Sequence, residues 1–295
     1  MAVKTVQYIF NGQTYNLTYN STSGKYEATV TAPGKSSYGQ TDHVLGGTVK
    51  ATDVAGNTAT VDQSHATLGA SLKIRVKEKV APVISITEPT TGSYITTETP
   101  AIKFKVTDAD SGVNAGTIAL KIDGTAATGI TKTAVTGGYE CSYTPSTALS
   151  DGAHTISVTA SDNDGNASAA KTATFTIDTV PPTLSVTAPV DNLVTNKNTV
   201  TITGKTDDIT SKPVTVTVNG TAVTVATDGT FSKDVTLVNG SNTITIVAKD
   251  KAGKTTTATR KVTLDTAAPV IKSITLTPNP VDCGKTFVIA VEVTD

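Results

Sequence analysis

Acidic residues recur in this sequence in three settings that could do chemistry together. An acid stands four residues before a proline three times: Glu78 before Pro82, Asp178 before Pro182 and Asp265 before Pro269. A second set closes alternating stretches with Thr-Asp, at Asp108, Asp207 and Asp295, and Asp110 and Asp208 lie close by. A third set opens turns of the form Asp-x-x-Gly-Asn/Lys, at Asp53, Asp162 and Asp250, with Asp164 inside the second. Such hard oxygen donors suit Ca²⁺, which takes six to eight oxygens in flexible geometry. The run Asp162-Asn163-Asp164-Gly165-Asn166 matches the start of a calcium loop but lacks its distal Glu. Asp and Asn also close tight turns through their own backbone, so the same residues carry a purely structural alternative.

Catalytic chemistry finds little support. The three histidines, His43, His65 and His154, have no recurring partner, and His154 reads as a half-exposed strand residue after a turn. The sequence holds no Gly-x-Ser-x-Gly, no P-loop and no His-Glu-x-x-His. Acids that repeat from segment to segment look like structural devices, so the chain is expected not to be an enzyme. Cys141 and Cys283 fall in different repeats, which argues against a disulfide or a zinc site. Cys141 alternates with Tyr139 and Tyr143 and is expected to face inward, whereas Cys283 is expected in an exposed turn. With 17% charged residues and a net charge of −1, no electrostatic footprint for nucleic acid or an anionic membrane is present. No apolar run is long enough for a membrane-spanning helix. No secretion signal is visible after Met1, which predicts either assembly without general export or a fragment of a longer secreted chain.

The elements that position these acids are strands. Thr, Val and Ile fill over a third of the 295 residues, while the straight-chain helix formers are scarce. β-Branched side chains suit a pleated, half-buried surface, so the composition predicts an all-β chain. The junction prolines Pro82, Pro182 and Pro269 lie 100 and 87 residues apart, about one sandwich domain each. The predicted domains are 1–79, divergent and Tyr-rich, then 80–178, 179–266, and the start of a fourth over 267–295. The segment 63–71 is an addition before the last strand of the first domain, expected as a bulge or strand switch. Tyr15, Leu17 and Tyr19, with Tyr26, Ala28 and Val30, share faces and are expected to form core. Tyr38, in a Gly/Ser-rich loop, is the candidate exposed ligand contact. Lys103, Lys105 and Lys121 are expected to discourage edge pairing.

The Ala-Thr-Asp-x-Ala-Gly-Asn hairpin at 51–57, the Asp-Thr-x-x-Pro junctions and the Thr-rich strands resemble tandem bacterial immunoglobulin-like (Big-type) domains, well over residues 80–295 and more loosely before them. The resemblance implies immunoglobulin-like β-sandwiches arranged as a rod. It also implies that the acids gather where one domain meets the next. Glu78 would approach Asp108, Asp110, Asp162 and Asp164; Asp178 would approach Asp207, Asp208 and Asp250; Asp265 would approach Asp295. Ca²⁺ is the ion such clusters would hold, and no other cofactor is required. Domains of this kind occur in phage tail-associated proteins, surface adhesins and secreted carbohydrate-active enzymes. The stretches 10–20 and 277–281 resemble phage tail pieces. The leading expectation is therefore a virion protein, tail-associated and assembled in the host cytoplasm, contacting the bacterial surface. Its partners would be other virion or surface proteins and a cell-surface glycan, with no nucleic acid and no membrane insertion. The alternatives are a fragment of a secreted or cell-surface adhesin, or accessory domains of a carbohydrate-active enzyme.

Overall fold

The computed structural model describes residues 2–295, which fold as two compact units, the first ending at Ile177 and the second beginning at Asp178. Strands dominate, and the helices among the described residues are short 3₁₀ turns.

The first unit begins with a single antiparallel sheet. Its strands run, in spatial order, Lys25–Glu27, Gln13–Asn20, Val3–Phe10, Leu45–Asp53 and Thr58–Val61. Lys73–Ile74 pairs with Leu45 and Gly46, at the far end of the strand whose other end holds Thr58–Val61. The added segment 63–71 is therefore a loop, with a 3₁₀ turn at Gly69–Leu72, that carries the chain between two partners on one strand. Where a first sandwich is expected, no second sheet covers this one. Its buried apolar side chains are Phe10 and Val76. The tyrosines share faces as their period-2 spacing requires, but they pack on one another: Tyr8 stacks on Phe10 at 5.6 Å and Tyr19 tilts on Tyr26 at 5.3 Å. Tyr19 stays 56% exposed. Alternation predicts which residues share a face, and only a facing sheet turns that face into a core.

Residues 83–177 supply such a pair of sheets. One has the order Thr131–Val135, Gly138–Tyr143, Ile102–Thr107, Val83–Glu88. The other has the order Thr125–Ala126, Ala119–Ile122, Gly152–Thr159, Lys171–Ile177, Ser93–Ile95. The chain crosses between sheets after Glu88, and Ser93–Ile95 then pairs parallel with Lys171–Ile177. The inward residues of the central strands, Ile102, Phe104 and Val106 on one side and Ile156, Phe175 and Ile177 on the other, are buried together. Cys141 joins this core, as expected, while Cys283 is exposed. Lys103 and Lys105 lie on an interior strand, not an edge, and pair with Glu88 at 3.0 Å and Glu140 at 3.6 Å across the outer face. Lys121 is likewise interior. Cross-strand charge pairing on a solvated face explains Lys103 and Lys105 better than edge protection.

The second unit repeats the plan. Thr183–Ala188, Thr199–Asp207 and Thr230–Thr236 form one sheet. Leu193–Thr195, Thr255–Leu264, Gly240–Lys249, Thr215–Val218 and Thr221–Val223 form the other, again with a parallel pair, Leu193–Thr195 on Thr255–Leu264. Ile202, Val216, Ile244, Ile246 and Val262 lie in its core. The strands Val270–Thr277 and Val288–Thr294 form a two-stranded hairpin exposed along both. Its first pair, Val270 with Thr294, corresponds to Val83 with Thr107 and Thr183 with Asp207, but its register shifts after Ile271, whereas each sandwich shifts near the end of its opening strand.

The two layers carry the stability. Phe104→Ala removes a ring that is fully enclosed and is expected to destabilise its sandwich by about 3–5 kcal/mol. Tyr19→Ala on the uncovered sheet is expected to change stability by no more than about 0.5 kcal/mol. Denaturant unfolding of the two variants beside the parent chain checks the contrast.

Candidate metal centre

The acids are delivered by turns at one end of each sandwich. Asp162 and Asp250 open the hairpins after Gly152–Thr159 and Gly240–Lys249. Each uses one carboxylate oxygen to close its turn: Asp162 Oδ1 accepts from Asn166 N at 2.7 Å, and Asp250 Oδ1 accepts from Lys254 N at 2.8 Å. Asp53 does the same with Asn57 N at 2.8 Å, and its carboxyl is held below its usual range chiefly by the Asn57 side chain. The structural alternative is thus realised in all three turns. It engages both oxygens of Asp53 and Asp162, the second through Asn57 Nδ2 at 2.9 Å and Asn166 Nδ2 at 2.6 Å, and one oxygen of Asp250.

Asp108 and Asp208 lie in the loops after Ile102–Thr107 and Thr199–Asp207. Asp108 Oδ1 accepts from Asp110 N at 3.0 Å and Gly112 N at 2.9 Å, and Asp208 Oδ1 accepts from Thr210 N at 2.8 Å and Ser211 N at 2.7 Å. Asp108 N is tethered to Gly137 O at 2.8 Å, across a hairpin tip where a Cβ would meet Asp108 O at 2.8 Å. Gly137 has φ +73°, so its lack of a side chain serves both the turn and the close approach.

The third acid precedes the first strand of each sandwich. Glu78, Asp108 and Asp162 bring one oxygen each within 4.8 Å of one another, and so do Asp178, Asp208 and Asp250. In the first triad Glu78 Oε1 accepts from Ser111 N at 2.7 Å and its own N–H donates to Asp164 Oδ2 at 3.1 Å. Burial, more than the neighbouring Asp108, holds the Glu78 carboxyl above its usual range. In the second triad the three acids are 0%, 5% and 5% exposed. Asp178 Oδ2 accepts from Ser211 Oγ and Asp178 Oδ1 from Val180 N at 3.2 Å. Asp178 is the first residue of the second compact unit.

Other expected members stand apart. Asp110 Oδ2 accepts from Ser36 N at 2.9 Å, and Asp164 Oδ2 accepts from Ser36 Oγ at 2.5 Å. These bonds tie the loop of the N-terminal sheet to the sandwich that follows. Asp207 is exposed and pairs with Lys212 Nζ at 2.8 Å, which chiefly lowers its carboxyl below the usual range. Asp265 accepts from Ala267 N at 3.0 Å, in neither triad, and Asp295 is exposed. Two serines were missed, Ser111 and Ser211. Each stands three residues after the loop acid, and Glu78 to Asp108 repeats the 30-residue spacing of Asp178 to Asp208, so aligning the repeats would have found both.

The histidines do not form a nucleophile–base pair. His43 Nδ1 bonds Tyr38 O, and the two rings stack at 4.1 Å. Tyr38 is accordingly half-buried against His43 instead of standing free as a ligand contact. His65 Nδ1 accepts from Thr67 N and Leu68 N in an exposed turn. His154 is buried, not half-exposed, with Nδ1 at 2.7 Å from Asp123 Oδ2 and Nε2 at 2.8 Å from Ser150 O. Both partners are acceptors, so both ring nitrogens donate only when the imidazole is charged. Burial works against that charge, and the bonds to Asp123 and Ser150 outweigh it, holding the His154 pKa above its usual value. Among the described residues no helix is long and apolar enough to cross a membrane.

Residues 86–179 match the bacterial Ig-like domain family, and residues 182–266 match the family described as glucodextranase, domain B. The chain carries tandem immunoglobulin-like domains. It is 32% identical over 194 residues to Bacillopeptidase F of Bacillus subtilis (strain 168), covering 66% of this chain and 13% of that protein. The chain thus spans a small fraction of that relative. Among solved structures, the fibronectin(III)-like modules of Clostridium thermocellum CbhA are 19% identical, over 62% of this chain and 94% of theirs, with a TM-score of 0.40. A tetra-tandem repeat from the extending region of a large adhesion protein is 20% identical, over 98% of this chain and 79% of its own, with a TM-score of 0.33.

The His154–Asp123 pair makes stability depend on pH. A raised His pKa stabilises fully below the unfolded value near about 6.5, and that contribution fades as pH rises through the folded value. Asp123 is lowered, because the hydrogen bonds from His154 and Thr155 outweigh burial, and it contributes above about pH 4. Thermal melting between pH 4 and 9 is expected to show His154→Gln losing most, relative to the parent, between about pH 4 and 6.5, with the gap narrowing at alkaline pH.

Proposed function

We propose that the chain is a non-catalytic module of a larger extracellular or surface-attached bacterial protein, serving as a spacer and display element. The observation that carries this reading is the repetition of one sandwich plan, with five residues between Ile177 and Thr183 and the same acidic device at the start of each sandwich. Polar groups that recur at matching positions of successive sandwiches support a structural role for them. Two similarities support attachment to something larger. The matched part of Bacillopeptidase F is a small fraction of it, and the other matching family is one lettered domain of a glucodextranase. In both cases the name belongs to an enzyme, so accessory domains of an enzyme are the form of the reading these relatives favour. Partners would be neighbouring surface proteins or a surface glycan, met through loops at the sandwich ends. The virion assignment, drawn from the sequence stretches 10–20 and 277–281, the lack of a visible secretion signal or anchor and the free thiol, takes no support from the relatives.

An antibody raised against residues 80–266 tests this in the producing organism. The reading expects signal in the envelope or the medium, in a band larger than the 30.1 kDa of this chain. Signal confined to purified phage particles would overturn it in favour of a tail-associated role. Peptidase and dextranase assays on the purified chain are expected to show no turnover.

A further inference from the structure

The N-terminal sheet is built as one layer of a sandwich. Its first two strands turn at Asn11-Gly12, with φ 50° and 75°, just as the sandwiches turn at Asp123-Gly124 (49° and 82°) and Asn219-Gly220 (48° and 77°). Val3–Phe10 then pairs with Leu45–Asp53, which pairs with Thr58–Val61. In the first sandwich Ala119–Ile122, Gly152–Thr159 and Lys171–Ile177 follow the same order. Aligned on the turn and these pairings, Val6, Tyr8, Phe10, Val49 and Ala51 stand where Ile118, Leu120, Ile122, Val158 and Ala160 line a core. Of these five only Phe10 is buried. The opposite face carries Thr5, Gln7, Asn16, Thr48, Lys50 and Thr52, so the alternation assigns the apolar face to a facing layer.

The exposed hairpin of Val270–Thr277 and Val288–Thr294 has the pattern of such a layer's opening strands. Its second pair, Ile271 with Val293, corresponds to Ile84 with Val106 in the first core. Ile271, Ile274, Leu276, Ile289, Val291 and Val293 share one face and are 43–61% exposed, while Ser273, Thr275 and Glu292 point the other way.

We propose that the apolar face of the N-terminal sheet receives this hairpin from a second copy of the chain, completing a sandwich between molecules. One surface lacks its facing layer and the other lacks the layer it faces, and neither set of apolar residues includes a charge that would oppose their meeting at the roughly 10 Å spacing of packed sheets. A two-strand face about 25 Å long and about 10 Å wide buries on the order of 600–800 Å² in total, which predicts weak, concentration-dependent association. The contact joins two different surfaces, so it can pass from chain to chain. It does not depend on what the module is attached to.

Sedimentation of the full chain at increasing concentration is expected to show a mass rising above 30.1 kDa. Val49→Lys blocks the sheet and Val291→Lys blocks the hairpin. Each variant alone is expected to stay monomeric. Their equimolar mixture is expected to form a dimer, because one supplies an intact hairpin and the other an intact sheet. Val49→Thr and Val291→Thr, each expected to weaken the association several-fold, are the second pair should a lysine variant fail to fold by circular dichroism. A parent chain that stays monomeric throughout, or a mixture that does not dimerise, would overturn the proposal. So would self-association undiminished in a folded variant: in Val291→Lys it would mean sheet-on-sheet pairing, and in Val49→Lys hairpin-on-hairpin pairing.

Discussion

A carboxylate has two oxygens, and much of this molecule depends on how they are divided. In Asp162 and Asp250 one oxygen closes a hairpin by accepting a backbone N–H four residues on. That bond fixes the turn, and the turn fixes where the side chain's other oxygen lies. Asp108 and Asp208 likewise hold their loops with one oxygen on two backbone donors. In Asp250 the second oxygen is left without a partner, whereas in Asp162 it accepts from Asn166 Nδ2 at 2.6 Å. Turn closure orients the acids at the expense of burying negative charge that something must balance.

The two triads balance it differently. Glu78 is half-buried, its longer side chain reaches Ser111 N, and burial raises its carboxyl above the usual range. Asp178 is shorter, completely enclosed and served by a serine hydroxyl. One exchange of Glu for Asp within a repeated spacing thus changes how deeply the same frame encloses its acid and which donor meets it. Around them the frame itself is plain: alternating strands, two layers, and a core of Ile, Val and Phe whose burial, at about 1.5–3 kcal/mol per large side chain, outweighs what the acidic end costs.

Residues 3–74 show what happens when that frame is incomplete. The strands form and pair, and the tyrosines line up, yet almost nothing is enclosed. What links this sheet to its neighbour is polar: Ser36 on Asp110 and Asp164, Lys77 Nζ on Asp164 O at 3.0 Å, and Ser37 clamping Val76 through its N–H and hydroxyl. Loop serines, not apolar burial, join the two parts.

Much of this was legible in the chain itself. β-Branched composition and period-2 alternation dictate strands. The repeated junction and Asp-x-x-Gly turn dictate where sandwiches start and close, and inward placement of Ile102, Phe104 and Val106 follows from alternation alone. Those are local properties of backbone and side chain. Three things were decided by tertiary structure. Whether a face is covered depends on a second sheet, so the tyrosines of the first sheet could be grouped but not buried. Whether a lysine is on an edge depends on strand order, so Lys103 and Lys105 turned out to be interior. Which acids meet depends on side-chain direction at a loop. Asp208 and Asp207 are adjacent in sequence, yet successive residues of an extended chain point to opposite sides. One is buried beside Asp178 and Asp250, and the other reaches into solvent to Lys212.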